Sequence, residues 1–300
     1  MRTKYHNPVL LKATLDGLNI SPNGVYVDVT FGGGGHSRAI LKQLNEEGRL
    51  LGFDQDLDAS DNLIDDPRFE FIASNFSYLS QYLKYHHVDG VMGILADFGV
   101  SSHQFDTQER GFSIRAEGRL DMRMNQSQDL NAHYVINKYT ESDLMRIFFQ
   151  YGELKNSKAI ARAIVSKRDK SDINTTLDLI NIVNPLIPKK FEKKILAQLF
   201  QAIRIEVNDE LEIIKLFLKQ AKEILLPGGR LVCISYHSLE DRLVKRYFQT
   251  GSFEGELKKD FYGNPIKPLK KIGKLIIPSA QEINENRRAR SAKLRIAEKI

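Results

Sequence analysis

The 300-residue chain has no tryptophan and a single cysteine, and no apolar run approaches the roughly 18–20 residues that span a bilayer. The lone Cys233 excludes an intramolecular disulfide and a cysteine-based metal cluster. The seven histidines show no His-x-x-x-His or similar ligand spacing, so no metal site is expected. The first residues, Met1-Arg2-Thr3-Lys4-Tyr5-His6, lack the apolar centre of a secretory signal. No internal repeat or low-complexity tract is evident. These absences lead to the expectation of a cytoplasmic globular protein.

Charge, by contrast, is concentrated in one place. The chain carries +6, yet residues 255–300 alone hold 12 Lys and Arg against 5 Asp and Glu, which leaves the rest slightly negative. A basic terminal block is often only solvated. Here Tyr262, prolines and Leu275-Ile276-Ile277 interrupt it, which favours a partly folded segment and a polyanionic partner, most naturally nucleic acid. Residues 255–274, rich in Gly, Pro and Lys, are expected to be its flexible part.

Strand and helix signals alternate through the first third. An amphipathic helix is expected over 8–18, strands at 25–28, 49–53, 69–72 and 90–96, and a helix from 37 to about 45. Alternation at this spacing predicts a doubly wound parallel sheet, with its ligand site at the carboxyl ends of the strands. Asp28, Asp54-Gln55-Asp56, Asn75-Phe76-Ser77 and Asp97 all fall there. After Asp97 the rhythm changes. Residues 98–128 show no period, and then helices are expected over 140–152, 157–167, from 175 or 176, 191–206 and 209–225. Arg230 to Ser235 resumes the sheet. The expected organisation is a first part of the sheet domain at 1–104, an all-helical insertion at 105–208 and a second part at 209–300. The insertion is read as the substrate-recognition element.

The most informative stretch is Asp28-Val29-Thr30-Phe31-Gly32-Gly33-Gly34-Gly35-His36-Ser37, where a strand breaks into four glycines and a helix follows. Glycines let a backbone turn with positive φ and come close to a ligand, and the helix behind them directs unpaired N–H groups at it. The dehydrogenase fingerprint Gly-x-Gly-x-x-Gly fails, since its last position is Ser37 or Arg38. Asp28-x-Thr30-x-Gly32-x-Gly34 instead resembles the first motif of S-adenosylmethionine-dependent methyltransferases, with Thr30 in the place of its first glycine. Asp54 lies where a carboxylate accepts both ribose hydroxyls, or else caps a helix. Phe76 stacks on an adenine or packs in the core. Asp97 either aims an amine for in-line attack or contacts the cofactor. Ser235-Tyr236-His237-Ser238-Leu239-Glu240-Asp241 is a strand end and a capped helix start facing the cleft, since triad members usually meet through the fold and not in sequence. Gly99-Val100-Ser101-Ser102-His103 lacks the last glycine of a nucleophile elbow.

Further stretches complete the resemblance. They are His6 to Leu11, Gly52 to Asp56, Asp97 to Asp106, Glu109 to Ser113, Leu120 to Met124, Phe200 to Arg204, Gly228 to Arg242 and Arg288 to Arg295. Together, in this order, they resemble the bacterial 16S ribosomal RNA cytosine-N4 methyltransferases over nearly the whole chain. The resemblance implies an α/β, Rossmann-like S-adenosylmethionine-dependent methyltransferase sheet with an inserted all-helical domain. It also implies S-adenosyl-L-methionine as cofactor and methylation of the N4 amine of cytosine 1402 in small-subunit 16S rRNA. Position by position, it places cofactor contacts on Gly34, Gly35, His36, Asp54, Phe76, Asp97 and Gln104, and it carries over no general base. Phe98, His103, Arg119 and Ile195 to Leu199 depart from the family's usual residues, mainly on the substrate side.

Overall fold

The computed structural model describes residues 8–257, 259–264 and 267–300. His6 and Asn7 of the N-terminal matching stretch, and Lys258, Pro265 and Ile266 of the basic block, lie outside the described residues.

In chain order the first elements are α1 (Leu11–Leu18), β1 (Val25–Asp28), α2 (Gly35–Leu41), β2 (Arg49–Asp54), β3 (Phe69–Ala73), α3 (Leu79–Tyr85) and β4 (Val91–Asp97). Six helices follow with no strand between them: α4 (Ser102–Asp106), α5 (Ala132–Lys138), α6 (Glu141–Gln150), α7 (Ser157–Arg168), α8 (Thr176–Val183) and α9 (Glu192–Asn208). The chain ends with α10 (Glu210–Ile224), β5 (Leu225–Ser235), α11 (Ser238–Thr250), β6 (Leu269–Ile276), α12 (Ala280–Glu285) and β7 (Lys293–Lys299). Two compact units result. One comprises Met1–Gly99 with Leu211–Ile300, the other Val100–Glu210.

In the first unit seven strands form one sheet in the order β3-β2-β1-β4-β5-β7-β6. β1 to β5 are parallel, while β7 runs antiparallel to both β5 and β6. Parallel strands covered on both faces read as continuous apolar runs, and here the period of two separates those runs into two cores. Val27, Leu51, Ile94, Leu231 and Cys233 pack on one face with Phe217 and Val244. Tyr26, Leu50, Leu95, Val232 and Ile234 pack on the other with Leu18, Ile40 and Leu294.

The second unit has its own core. On α9, Leu196, Leu199, Phe200, Ile203 and Val207 form a helical stripe, buried against Phe148, Ile160 and Leu179. Thr140 caps α6 through the Asp143 N–H, and Thr175 and Asp178 form a reciprocal capping box at α8. The aperiodic run before α5 is held by side chains. Asn208 accepts the Met124 N–H at 2.7 Å and donates to the Met122 carbonyl at 2.8 Å. The buried Arg110 donates to the Arg123 and Met124 carbonyls.

Some expectations need correction. The division falls at 99/100 and 210/211, outside the expected 105 and 208. A break at 104/105 would cut α4, and Val100 already packs on the helical core. At the other end Arg204 grips Glu210 through two hydrogen bonds of 2.7 and 2.9 Å. α2 stops at Leu41, not near 45, and β5 begins at Leu225, so Pro227-Gly228-Gly229 lies within the strand. Val91 of β4 pairs with Leu225 and Gly93 with Arg230, a register shift that accommodates the extra residues. The last residues of the expected flexible stretch 255–274 belong to β6.

Candidate functional site

Three neighbouring parallel strands each end in an aspartate. Asp28 closes β1 opposite Gly52 of β2, Asp54 closes β2, and Asp97 closes β4. Their roles differ because their partners differ.

Asp28 is buried and spends its oxygens on the glycine turn itself. Oδ1 accepts the Thr30 N–H at 3.1 Å and the Thr30 hydroxyl at 3.3 Å, and Oδ2 accepts the Ser37 hydroxyl at 2.7 Å. Burial pushes its carboxyl above the usual range, while His36 and these hydrogen bonds pull it back. Asp28 thus ties both ends of the turn together and organises the loop. Within the turn, Gly32 has φ +50° and Gly34 φ +71°. A Cβ on Gly34 would sit 2.9 Å from the Phe31 ring, and one on Gly35 would sit 2.5 Å from Pro8 Cγ. Conformation therefore favours glycine at position 32, space at position 35, and both at position 34.

Asp54 holds the turn from the other side. Its Oδ2 accepts the Gly32 N–H at 2.8 Å and its Oδ1 accepts the Asp56 N–H at 2.9 Å. It does not cap a helix; Asp56 caps the following 3₁₀ turn through the Asp58 N–H. Desolvation pushes the Asp54 carboxyl up to about 6 against those two bonds. Each oxygen keeps a second lone pair for another donor.

Asp97 sits in a polar cluster drawn from four segments. Its N–H donates to Thr30 Oγ1 at 2.7 Å, and its Oδ1 accepts the Tyr236 hydroxyl at 2.7 Å. His36 donates from Nε2 to the Val9 carbonyl at 3.0 Å, so its Nδ1 is the nitrogen that faces Asp97 Oδ2, at 3.9 Å. Burial pushes the Asp97 carboxyl up to about 6, with Asp28 and Glu240 adding to it and His36 and Tyr236 opposing. Burial and the Asp97 charge hold the Tyr236 phenol well above its ordinary value, so it remains a donor.

Of the remaining expected residues, Phe76 follows β3, half-buried, with its ring edge-to-face on Phe217 at 5.4 Å and 6.2 Å from Phe98. Gln104 belongs to the helical unit, where its side chain closes the α4 capping box with Ser101. Gly34, Gly35, His36, Asp54, Phe76 and Asp97 all belong to the sheet unit. Tyr236 is the residue that the sequence reading passed over as the Asp97 partner. They are 139 positions apart, and nothing local marks the pair. The Ser-His-Asp stretch is no triad. His237 and Glu240 cap α11, while Asp241 pairs with Arg295 at 2.7 Å and Lys293 at 3.4 Å instead of facing the cleft.

A sheet of this order, with acids closing β1, β2 and β4 around a glycine turn, is the Rossmann-like architecture of S-adenosylmethionine-dependent methyltransferases. Comparison with known proteins narrows the class. The chain belongs to the MraW methylase family, whose model matches residues 3–300. It is 58% identical over 297 residues to the ribosomal RNA small subunit methyltransferase H of Flavobacterium johnsoniae, covering 99% of this chain and 98% of that one. The protein of the same name from Bacteroides thetaiotaomicron is 56% identical over 296 residues, with 98% and 97% covered. Among solved structures, a putative rRNA methylase from Clostridium thermocellum superimposes with a TM-score of 0.45 at 14% identity, covering 99% and 100% of the two chains.

The chain is therefore a methyltransferase that uses S-adenosyl-L-methionine. The residues fit that group. Side chains at three of the strand ends are acidic, which suits a cation, and the four consecutive glycines leave the backbone of the turn without a Cβ from Gly32 to Gly35.

Proposed function

We propose that the enzyme methylates the N4 amine of a decoding-region cytosine, cytosine 1402 of 16S rRNA, in the small ribosomal subunit. The observation that carries this reading is the near-complete match to relatives named ribosomal RNA small subunit methyltransferase H, at 58% identity. In it Gly34, Gly35, His36, Asp54 and Phe76 hold the cofactor, and Val100–Glu210 is the substrate-recognition unit. When bound, S-adenosylmethionine supplies an electrophilic methyl group on a sulfonium.

The chain's own work is orientation. The lone pair of a cytosine amine is delocalised into the ring, so transfer requires that the amine be turned and held. Asp97, with one oxygen on the Tyr236 hydroxyl, accepts an amine hydrogen through its remaining lone pairs and stabilises the positive charge that grows on nitrogen. Thr30 and Tyr236 fix the carboxylate from backbone and side chain. No side chain is assigned as general base, because the methylated amine loses its proton to water.

The test is incubation of the purified protein with labelled S-adenosylmethionine and small-subunit particles that lack the modification. Label on the N4 position of that one cytosine is expected. Labelling of another nucleotide would refute the site, and labelling of no ribosomal substrate would refute the reading.

A further inference from the structure

The helical unit carries a surface to which methyl transfer assigns no role. Residues 188–194, Pro-Lys-Lys-Phe-Glu-Lys-Lys, cross the start of α9, and Lys189, Lys190, Lys193 and Lys194 are all exposed. Phe191 in their midst is 50% exposed, with Lys190 Nζ 5.7 Å from its ring centroid. A hydrogen bond of 3.5 Å from Asn156 Nδ2 to the Leu186 carbonyl brings the start of α7 alongside, and this segment adds the exposed Lys155 and, in the first turn of α7, Lys158. None of these six lysines forms an ion pair among the described residues. An ordinary solvated helix face intersperses carboxylates that form i,i+4 pairs with its lysines; here Glu192 is the only acid in the run.

Local energetics oppose the arrangement. Lys193 and Lys194 follow Glu192 in the first turn of α9, the positive end of its dipole, where the one carboxylate is favoured and the two cations are not. Phe191, at the N-cap, offers no side-chain acceptor to the first N–H groups. Clustered unpaired cations around an exposed aromatic ring match one kind of partner. Phosphates neutralise the ammoniums, and an unstacked base covers the ring.

We propose that this face of the helical unit binds a single-stranded stretch of the substrate RNA, with the lysines on its phosphates and Phe191 stacked on a base. The proposal rests on the reading of ribosomal RNA as substrate.

The test is titration of the full-length protein with a fluorescein-labelled single-stranded oligoribonucleotide of the decoding-region sequence across a salt series. The K189Q/K190Q/K193Q/K194Q variant is expected to bind about tenfold or more weakly, with the logarithmic salt slope reduced by up to about 3. Phe191→Ala is expected to lose roughly fivefold or more in affinity at unchanged slope, and Phe191→Tyr to retain it. K193E/K194E separates binding from folding. It improves the dipole match of α9 and so is expected to melt no lower than the parent while binding RNA least. Unchanged affinity and slope in the fourfold variant would overturn the proposal. That titration reads the surface whether or not particles are methylated, and particle labelling by the parent reads the function, so the two failures are distinct.

Discussion

In the Asp97→Asn variant the amide oxygen still accepts the Tyr236 hydroxyl, but the negative charge is gone. Burial raises the Asp97 carboxyl from 3.8 to about 6 in the folded protein, with its side chain 21% exposed. A shift of that size corresponds to about 3 kcal/mol of penalty on the ionised form at neutral pH. The amide N–H₂ needs a partner, which offsets part of the gain, so we expect stabilisation of about 1–3 kcal/mol at pH 7.5. At roughly 2–4 °C per kcal/mol this is a rise of several degrees in Tm. The pH dependence provides the discriminating measurement. The folded state binds the Asp97 proton more tightly than the unfolded state, so the penalty is absent below about pH 4, grows through the window from about 4 to 6 and is complete above it. Calorimetric melting of both proteins without cofactor should show a gap that is widest at pH 7.5 and closes as the pH falls towards 4. A variant no more stable than the parent at pH 7.5, or a gap indifferent to pH, would refute the reasoning. Removing the acceptor altogether, as in Asp97→Ala, should lower kcat by roughly 10²–10³.

Four further outcomes follow from the same geometry. Tyr236→Phe removes a donor to the charged form of Asp97, so the acid limb of the pH–rate profile should move to higher pH while cofactor affinity changes little; an unmoved limb would rule out the pairing in solution. Gly34→Ala forces an L-residue to φ +71° against the Phe31 ring and should cost about 1–2 kcal/mol in stability together with at least tenfold in cofactor affinity by calorimetry. Cys233 is buried in β5 and its thiol is pushed up by burial, so the native protein should resist thiol reagents until denatured, when one thiol titrates. Arg287, Arg288 and Arg290 are exposed around the buried Ala289, and replacing all three with Ala should weaken RNA binding and reduce its salt slope by about 2 without altering cofactor binding.

The residues whose placement depends on local pattern could be read from the chain alone. Three of the parallel strands, β1, β2 and β4, are apolar runs that stop at an aspartate, and a sheet of this kind puts such residues at its ligand edge. The α9 stripe declares a buried helix by its spacing. What escaped depends on distance or on edges. β6 has Lys270, Lys271 and Lys274 exposed, because an edge strand discourages further pairing with charge, and this disguises it as a flexible tail. β7 does alternate, with Leu294 and Ile296 buried between Lys293, Arg295 and Glu298, and that signal sat unread inside the basic block. The run before α5 has no period because Asn208, 84 positions from Met124, supplies its order. The Asp97–Tyr236 bond is likewise a product of the sheet, since β4 and β5 must lie side by side before the two residues meet.

Thr30 stands where the methyltransferase motif has its first glycine, and its hydroxyl does two things at once. It donates to Asp28, which shapes the glycine turn proposed to hold the cofactor, and it receives the N–H of Asp97, the residue proposed to orient the acceptor amine. Donor and acceptor sites are in this sense mounted on a single bracket. A ligand that distorts the turn displaces Asp97 with it, so a cofactor analogue too bulky for the glycines would misalign the amine it never touches. Restoring glycine at position 30 would satisfy the motif and unfasten the bracket.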